Sequence, residues 1–480
     1  MTNKPIHILR YGTVADKAHL KTAISAYDYL SINGNTAAYV SKAIAKFIVE
    51  EFFSETEKGK GFFIDPITYA FQRELRLLKS VSKNTGETTI KKSVGRLIEI
   101  YGDPVSKVRD DIPIAVSDFS SDQLIEDFCA KVLGFQYDLV IKHIVDNDLQ
   151  KYLEYVVPGG IIEIQQFRPK FLIAPYFYLD AQDSAFDNWL DINVKFAEEA
   201  ARQASNNFRN IDVFAQIVLS KSVLRDHSKI QKIIENYKGT NCKGYTIWVD
   251  DLDENESSND ELNGFVDLLK ALRSHKKPIY NMYGGYFSIM LTHKKVSLLN
   301  GVSHGLEYGE SRKVYPVGGG VPVSKYYYYP LHQRLDFTKA FYLLKHANAI
   351  DTSLDNWGSA DIYHDKICNC RQCHNVIKKE MINFLEFEST DFYNVHIKGR
   401  VQRRKKASSD TKKNCLYHYL LCKKVEFRYV SMKSNDELLK QLEEQKTFYM
   451  KCDALQDGEL DYIGRWIKTF KKAVEVPCVR

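Results

Sequence analysis

The chain has 480 residues, 44% of them hydrophobic and 27% charged, which is enough apolar material for a large folded core. Because no apolar run is long enough for a signal peptide or a membrane span, we expect a soluble, cytoplasmic protein with no membrane partner. The net charge of +6, from 67 basic and 61 acidic residues, is too mild to indicate nucleic-acid binding by itself.

Short β-rich runs alternate with longer amphipathic segments in the first 300 or so residues. The pattern predicts strands near 6–10, 61–65, 112–116, 170–175, 212–218, 244–249, 278–282 and 296–301. It predicts helices over 36–53, 121–145, 184–205, 226–238 and 261–275. This alternation indicates a parallel sheet, and its length favours an α/β fold of the (β/α)8 TIM-barrel type. No GxGxxG follows the first strand, which argues against a dinucleotide-binding domain.

After about residue 335 the alternation ends. We expect three segments: a barrel over 1–335, a zinc-binding subdomain with a basic segment over 336–415, and a helical C-terminal region over 416–480.

Three cysteines are crowded into the sequence ICNCRQCH, at Cys368, Cys370 and Cys373. Thiolates with one imidazole are common ligands of structural zinc, and one tight turn can present all three sulfurs. The alternatives are a redox pair or unrelated thiols. His374 and His396 compete as the fourth ligand, and we predict His396 because the ring of a residue adjacent to a ligating Cys would point away.

A basic run occupies residues 398–413, KGRVQRRKKASSDTKK, and includes Arg403, Arg404, Lys405 and Lys406 in succession. Such a run is either a solvated surface or a patch that contacts phosphates. Both interpretations stay open on the sequence.

Residues with catalytic potential gather in and beside the segment 301–332. Its three consecutive glycines, 318–320, allow close approach of a phosphate or a planar base, and its tyrosines at 326–329 are able to stack on bases or to face the core. Asp65 ends a predicted strand before Pro66, a position suited to catalysis or to capping a turn. The candidates are His304, Glu307, Glu310, Arg312, Gly319, Tyr283, Gly284 and Gly285.

The Cys motif is followed by a predicted helix and a later histidine, and it comes at the end of a predicted barrel. In this arrangement the sequence resembles the tRNA-guanine transglycosylases and their relatives that insert 7-deazaguanine bases into DNA. Residues 62–72, FFIDPITYAFQ, are similar to the family's strand that ends in Asp and leads to Phe-Gln. Residues 212–219, DVFAQIVL, resemble the strand with the base-contacting Gln, here Gln216, and residues 244–254 resemble the next strand and turn. The resemblance covers about residues 60–400.

Several positions depart from the family pattern. The loop after Asp65 lacks the family's two glycines, and Trp248-Val249 stand where Gly-Gly passes under the base. Pro175 replaces the guanine-reading Asp, with Asp180 the nearest acid, and Leu306 replaces the nucleophilic Asp. We therefore expect an altered pocket floor and a different arrangement of carboxylates.

These observations predict a transglycosylase-type enzyme that exchanges or removes a guanine or 7-deazaguanine base in DNA or RNA and contains one structural zinc ion. Asp65 with Glu307 or Glu310 would perform the chemistry, and Gln216 and Asp180 would read the base. The expected partners are DNA or tRNA and the base, with a homodimer or a partner protein also compatible. The alternatives are a divergent zinc-containing barrel that binds nucleic acid or assembles a complex, and a barrel enzyme for a small phosphorylated ligand.

Overall fold

The computed structural model describes residues 4–12, 16–52, 60–82, 85–144, 147–156, 167–306, 309–315, 324–397 and 400–475. Its strands are β1 (Ile6–Tyr11), β2 (Tyr29–Asn33), β3 (Gly61–Asp65), β4 (Lys79–Val81), β5 (Thr88–Ile90), β6 (Leu172–Ile173), β7 (Val213–Leu219), β8 (Gly244–Val249), β9 (Ile279–Asn281), β10 (Gly301–Gly305), β11 (Tyr326–Tyr328), β12 (Gln333–Leu335), β13 (Thr390–Ile397) and β14 (Arg400–Ala407).

The α-helices are α1 (Asp16–Thr22), α2 (Gly34–Tyr39), α3 (Ser41–Phe52), α4 (Lys92–Tyr101), α5 (Asp122–Asp138), α6 (Ile141–Ile144), α7 (Asn147–Val156), α8 (Phe186–Asn207), α9 (His227–Lys238), α10 (Asn259–Arg273), α11 (Tyr286–Met290), α12 (Phe337–His346), α13 (Arg371–Val376), α14 (Ser409–Met432), α15 (Asn435–Tyr449) and α16 (Asp461–Glu475). Among the described residues, no helix combines the length and apolar character needed to cross a membrane.

Eight parallel strands form a nearly closed barrel in the order β3-β2-β1-β10-β9-β8-β7-β6. β1 pairs with both β2 and β10, so the beginning of the chain joins the last barrel strand. Between β3 and β6, a backbone hydrogen bond of 2.8 Å runs from Lys170 N to Phe62 O. The predicted fold class, a TIM barrel accompanied by a cysteine cluster and a helical C-terminal region, is confirmed.

Aromatic rings fill one layer of the barrel interior. The ring of Phe214 on β7 stacks on Phe171 at 4.1 Å between centroids and lies 5.5 Å from Tyr280 on β9. These rings meet across the intervening strand β8 because that strand has Gly244 at this level. A Cβ atom added to Gly244 would lie 2.3 Å from the Phe214 ring, so the glycine makes room for the layer.

Several elements differ from the sequence prediction, among them the strand expected near 296–301, which lies at Gly301–Gly305 as β10. Strand β2 was not predicted, because Ser31 interrupts its short apolar run and Gly34 follows directly. The strand predicted at 112–116 is wrong: residues 112–115 have no regular structure and a 3-10 helix covers Val116–Phe119. Pro113 explains the difference, since it lacks the N–H that a central strand needs.

The chain divides into two compact units. The barrel unit comprises residues 1–284 and 296–318, and the second unit comprises 285–295 and 319–475. The division into segments 1–335, 336–415 and 416–480 stays a prediction.

The second unit contains a buried network of charged side chains on α14. Glu426 Oε1 accepts hydrogen bonds of 2.6 Å from both Tyr327 and His332, and Glu426 Oε2 lies 2.8 Å from Lys423 Nζ. Burial raises the pKa of Glu426, but Lys423 and His332 outweigh this effect and bring the pKa to about 2. Since an unpaired buried charge costs several kcal/mol, the network fixes the rotation of α14 about its axis.

Helix α10 approaches the backbone of the 3-10 helix Lys221–Arg225 very closely at Gly264. A Cβ atom at Gly264 would lie 2.0 Å from Leu224 O, so we expect Gly264→Ala to lower the free energy of unfolding by about 1–3 kcal/mol. Gly95→Ala in α4 is the matched control, because its added Cβ has no atom within 4 Å. The control should be neutral or stabilise by up to about 1 kcal/mol. Thermal unfolding followed by circular dichroism tests the pair, and equal effects would contradict the close approach.

Candidate active site and metal centre

The carboxyl ends of three neighbouring barrel strands place polar side chains together. Arg10 lies near the end of β1, and Asn33 and Asp65 are the last residues of β2 and β3, opposite each other in register. Asp65 is fully buried and Arg10 is 4% exposed. This is the end of a parallel barrel at which catalytic residues are found in enzymes with this fold.

Asp65 is held in one orientation by its neighbours. Its Oδ1 accepts hydrogen bonds from the Tyr176 hydroxyl at 2.6 Å and from Ile67 N at 3.1 Å. Among the described residues, its Oδ2 accepts no hydrogen bond, and it lies 3.7 Å from Arg10 Nη2. Burial raises the pKa of Tyr176 well above its ordinary value, with the charge of Asp65 adding to the effect. The tyrosine is therefore a neutral donor, and Asp65 presents one oxygen for chemistry.

Two guanidinium groups converge on one tyrosine beside Asp65. Arg10 and Arg312 both donate to the Tyr283 hydroxyl, Arg312 at 3.0 Å, and Arg10 also donates to Asn33 Oδ1 at 2.9 Å. Burial, followed by repulsion from Arg312, lowers the pKa of Arg10 to about 10. Arg10 remains charged at neutral pH, so the carboxyl end of the barrel around Asp65, called the mouth below, attracts oxygen atoms that carry negative charge.

Aromatic rings line the mouth around these charges. The Tyr69 ring stacks with Tyr176 at 5.7 Å and meets the edge of Trp248 at 5.2 Å. The Arg10 guanidinium lies 5.1 Å from the Tyr283 ring and 5.9 Å from Trp248. All of these rings are buried, so they enclose the charged groups at this end of the barrel.

Asp250 is a second carboxylate at this end of the barrel, directly after β8. It accepts hydrogen bonds from the Tyr178 hydroxyl at 3.0 Å and from Val314 N at 2.7 Å. Burial raises its pKa, although both hydrogen bonds oppose this shift. Asp65 and Asp250 both act electrostatically on Tyr69. Two carboxylates in different environments are the usual basis for separate acid and base roles.

The predicted catalytic residues are only partly gathered. Asp65 is in the mouth, and His304 on β10 is buried, with Nδ1 2.8 Å from Gly284 O and its ring 4.9 Å from the His7 ring. Glu310 is half-exposed, and Glu307 lies outside the described residues. The contacts of Asp65 within the described chain are with Tyr176, Ile67 and Arg10, so its pairing with a glutamate stays a prediction.

The predicted substrate-binding residues are dispersed. Tyr283, Gly284 and Arg312 belong to the mouth, whereas Gly285 belongs to the second unit and Gly319 lies outside the described residues. Asp180 forms an ion pair of 3.0 Å with Arg73, whose guanidinium lies 5.7 Å from the Tyr178 ring. Gln216 is buried in mid-strand and accepts a hydrogen bond of 3.0 Å from Thr246.

Sequence reasoning missed four mouth residues: Arg10, Asn33, Tyr176 and Asp250. A usable signal existed for two of them. Arg10 is a charged residue near the end of the apolar strand IHILRY, and Asp250 directly follows GYTIWV. Charged residues at the carboxyl ends of barrel strands are typical of active sites.

A buried cluster of Cys368, Cys370, Cys373 and His418 forms a candidate metal centre in the second unit, with donor atoms within 4.8 Å of one another. The Cys370 and Cys373 sulfurs are 3.5 Å apart. His418 Nδ1 is 3.1, 3.4 and 3.8 Å from the sulfurs of Cys373, Cys370 and Cys368. A tetrahedral ion with bonds of about 2.0–2.3 Å needs donors roughly 3.5–3.8 Å apart. The cluster could therefore hold such an ion.

His418 is oriented for coordination by a backbone hydrogen bond. Its Nε2–H donates to Tyr327 O at 2.6 Å, which leaves the lone pair of Nδ1 directed at the sulfurs. Its ring also stacks on Tyr326 at 4.6 Å. A ligand histidine normally has an outer partner of this kind.

Among the described residues, the histidine that joins these cysteines is His418, whereas the sequence predicted His396. His396 lies in β13, opposite Val401 of β14, and its side chain is outside the described residues. The prediction assumed a short return from the third cysteine, but the hairpin β13–β14 separates Cys373 from His418, which are 45 positions apart. The spacing of His418 and Cys422 was the overlooked signal, because residues four apart share one helix face.

Cys422 adds a fourth thiol to the cluster, with its sulfur 3.6 Å from both Cys368 Sγ and His418 Nδ1. Burial raises the pKa of the Cys373 and Cys422 thiols well above the ordinary value. Although burial lowers the pKa of His418, the neighbouring Cys368 and Cys370 raise it to about 10. The Cys373 and Cys422 thiols therefore ionise readily only beside additional positive charge, which a bound divalent cation would supply.

No family model matches this chain, and no curated protein matches it. Among solved structures, the chain is similar to an intracellular xylanase from Thermoanaerobacterium saccharolyticum JW/SL-YS485. The two are 8% identical over 67% of this chain and 91% of the xylanase, with a TM-score of 0.31. This value is too low to support an inference about substrate or mechanism.

Metal content distinguishes the two candidate histidines. We expect the Cys370→Ala variant to lose the ion. The double variant His418→Ala/Cys422→Ala should also lose it. Both donors of α14 are removed together so that Cys422 cannot replace His418 as a ligand. His396→Ala should keep about one ion per chain. Elemental analysis of the purified, folded proteins measures this. Loss of metal from His396→Ala with retention in the double variant would reverse the assignment.

Proposed function

We propose that this chain is a transglycosylase-type enzyme that exchanges a purine base of the guanine or 7-deazaguanine type in a nucleic acid. The observation that carries the proposal is Asp65: a buried carboxylate at the end of β3, fixed through Oδ1, whose Oδ2 accepts no hydrogen bond from the described residues. A carboxylate in this position suits a reaction in which positive charge builds on a sugar carbon.

The reaction breaks the bond between the sugar C1′ and the base nitrogen, and the electron pair of that bond leaves with the base. Asp65 Oδ2 stabilises the positive C1′ or bonds to it, and a protonated carboxyl supplies the proton that the departing base takes up. The incoming base then bonds to C1′ through a nitrogen, any bond from Asp65 Oδ2 to C1′ breaks with its electron pair returning to Asp65, and the N–H proton of the incoming base goes to the other carboxylate. Asp250 fits this acid–base role because burial raises its pKa, whereas the sequence favoured Glu307 or Glu310.

The other mouth residues fit a purine. Arg10 and Arg312 supply donors for a base carbonyl oxygen, as guanidinium groups do for guanine. Tyr69, Tyr176 and Trp248 supply ring faces for stacking. Since Asp65 is fully buried, a base reaches it only after some of these rings move.

Zinc is the ion we propose for the Cys3His cluster. Three thiolates and an imidazole form a common structural zinc site, with no position left for a substrate. The ion would hold the turn 368–373 against α14, and the reaction would be performed by the barrel residues.

A binding or assembly role is the second candidate. Pro175 and Leu306 stand at the positions where the transglycosylases have acids, and Leu306 is buried. In this case the pair of Arg10 and Asp65 would be a structural ion pair of the core.

Base exchange is tested with labelled guanine and labelled 7-deazaguanine, each with tRNA or duplex DNA. We expect incorporation into one polymer, reduced about 10²–10⁴-fold by Asp65→Asn and by Asp250→Asn. Asp187→Asn is the control, because this exposed α8 residue pairs only with the surface residue Lys232 among described partners. Melting temperatures of all variants separate catalysis from stability. Absence of incorporation and of base release with every polymer would favour the binding role.

A further inference from the structure

An exposed two-stranded ribbon lies between the cysteine turn and His418 in the chain. Strands β13 and β14 pair in antiparallel register from Thr390↔Ala407 to Ile397↔Arg400. Residues 400–406 of β14 are all exposed. The proposed chemistry does not use this ribbon.

The charge of the ribbon is concentrated on β14. This strand, RVQRRKKA, has five basic residues and no acidic one, whereas the described side chains of β13 include Asp391 and no Lys or Arg. Arg403, Arg404, Lys405 and Lys406 form no ion pair with any carboxylate in the described part of the chain. The charge is therefore available to a partner.

Both faces of the ribbon are basic. Residues opposite each other in register share a face, so Arg403 and Lys405 lie on the face of Phe392, and Arg404 and Lys406 lie on the face of Tyr393. Ring contacts agree with this assignment. Arg403 lies 4.1 Å and Lys405 5.7 Å from the Phe392 ring centre, and Lys406 lies 5.6 Å from that of Tyr393. The rings restrict these long side chains, which lowers the entropy lost on binding.

We propose that the ribbon enters the major groove of duplex DNA, with the basic residues of each face directed to a different phosphate strand. A two-stranded β-ribbon fits the B-DNA major groove of about 12 Å. The major groove of A-form RNA is too deep and narrow for such readout. A single strand would need only one basic, aromatic face, and here both faces are basic.

This inference rests on the proposed function only in taking a nucleic acid as the substrate, and it selects duplex DNA as the polymer. Binding and base exchange are measured separately. Failure of exchange with intact duplex binding would remove the proposed reaction alone, and exchange on tRNA without duplex binding would remove the inference alone.

The test measures binding of the full chain to a fluorescent DNA duplex of about two helical turns, a duplex RNA of the same sequence and the single DNA strand. The ribbon variant replaces Arg403, Arg404, Lys405 and Lys406 with Gln. We expect it to weaken duplex DNA binding at least about tenfold at low salt. The slope of log affinity against log salt should become shallower by about one for each lost phosphate contact.

The matched control replaces four exposed lysines of α15 and α16 with Gln, namely Lys440, Lys468, Lys471 and Lys472. It should keep both the affinity for duplex DNA and the salt slope of the unmodified chain.

Methylation of guanine N7, an atom in the major groove, should be blocked by the unmodified chain and not by the ribbon variant. Melting temperature and gel filtration verify that both variants remain folded and monodisperse.

Three results with nucleic acids would overturn the inference. They are equal affinity of the two quadruple variants for duplex DNA, guanine N7 left unprotected in the complex, and binding to duplex RNA or single-stranded DNA as tight as to duplex DNA. Competition by vesicles of anionic lipid at equal charge would also overturn it, and would assign the ribbon to a membrane surface.

Discussion

The second unit is organised by the convergence of three cysteines and one histidine on one point. Cys368, Cys370 and Cys373 come from a single turn, and His418 comes from the middle of α14. Without a cation the Cys373 thiol favours the protonated form, because burial raises its pKa well above the ordinary value. A bound ion would reverse that preference, so its binding energy would contribute directly to folding of this unit.

Helix α14 also carries the buried pair Lys423 and Glu426, one to two turns beyond His418. Helix α14 presents an imidazole to the metal cluster and a carboxylate to a tyrosine and a histidine. Only one rotation of α14 about its axis satisfies both sets of contacts. The unit therefore depends on polar contacts whose geometry is specific, in contrast to the barrel, whose interior is organised largely by ring packing. Buried polar contacts of this kind restrict how the elements that carry them can pack, although His332 Nε2 has no hydrogen-bond partner among the described residues.

The barrel was predictable because parallel strands that are buried on both faces appear as apolar runs separated by amphipathic helices. Strand β2 was not predicted because Ser31 interrupts its apolar run. The strand predicted at 112–116 was wrong because Pro113 lacks the N–H that a central strand needs. Asp65 was predictable from its place at a strand end. Its hydrogen-bond partner Tyr176 was not predictable from the sequence. Tyr176 lies three residues beyond the two-residue strand β6, and it contacts Asp65 only because barrel closure brings β6 beside β3. The cysteines were predictable from their density, whereas the choice of His418 depended on the length of an intervening hairpin that a single sequence does not reveal.

The ribbon β13–β14 has no interior strand, so each strand has an outer edge with unpaired backbone N–H and C=O groups within the described hairpin. Such edges readily pair with strands of other molecules, and lysine or arginine side chains discourage this association by mutual repulsion. The basic residues of β14 therefore have a second physical effect in addition to attracting phosphates. They allow a long, flat and solvated hairpin to exist at cellular concentrations without acting as a nucleus for aggregation.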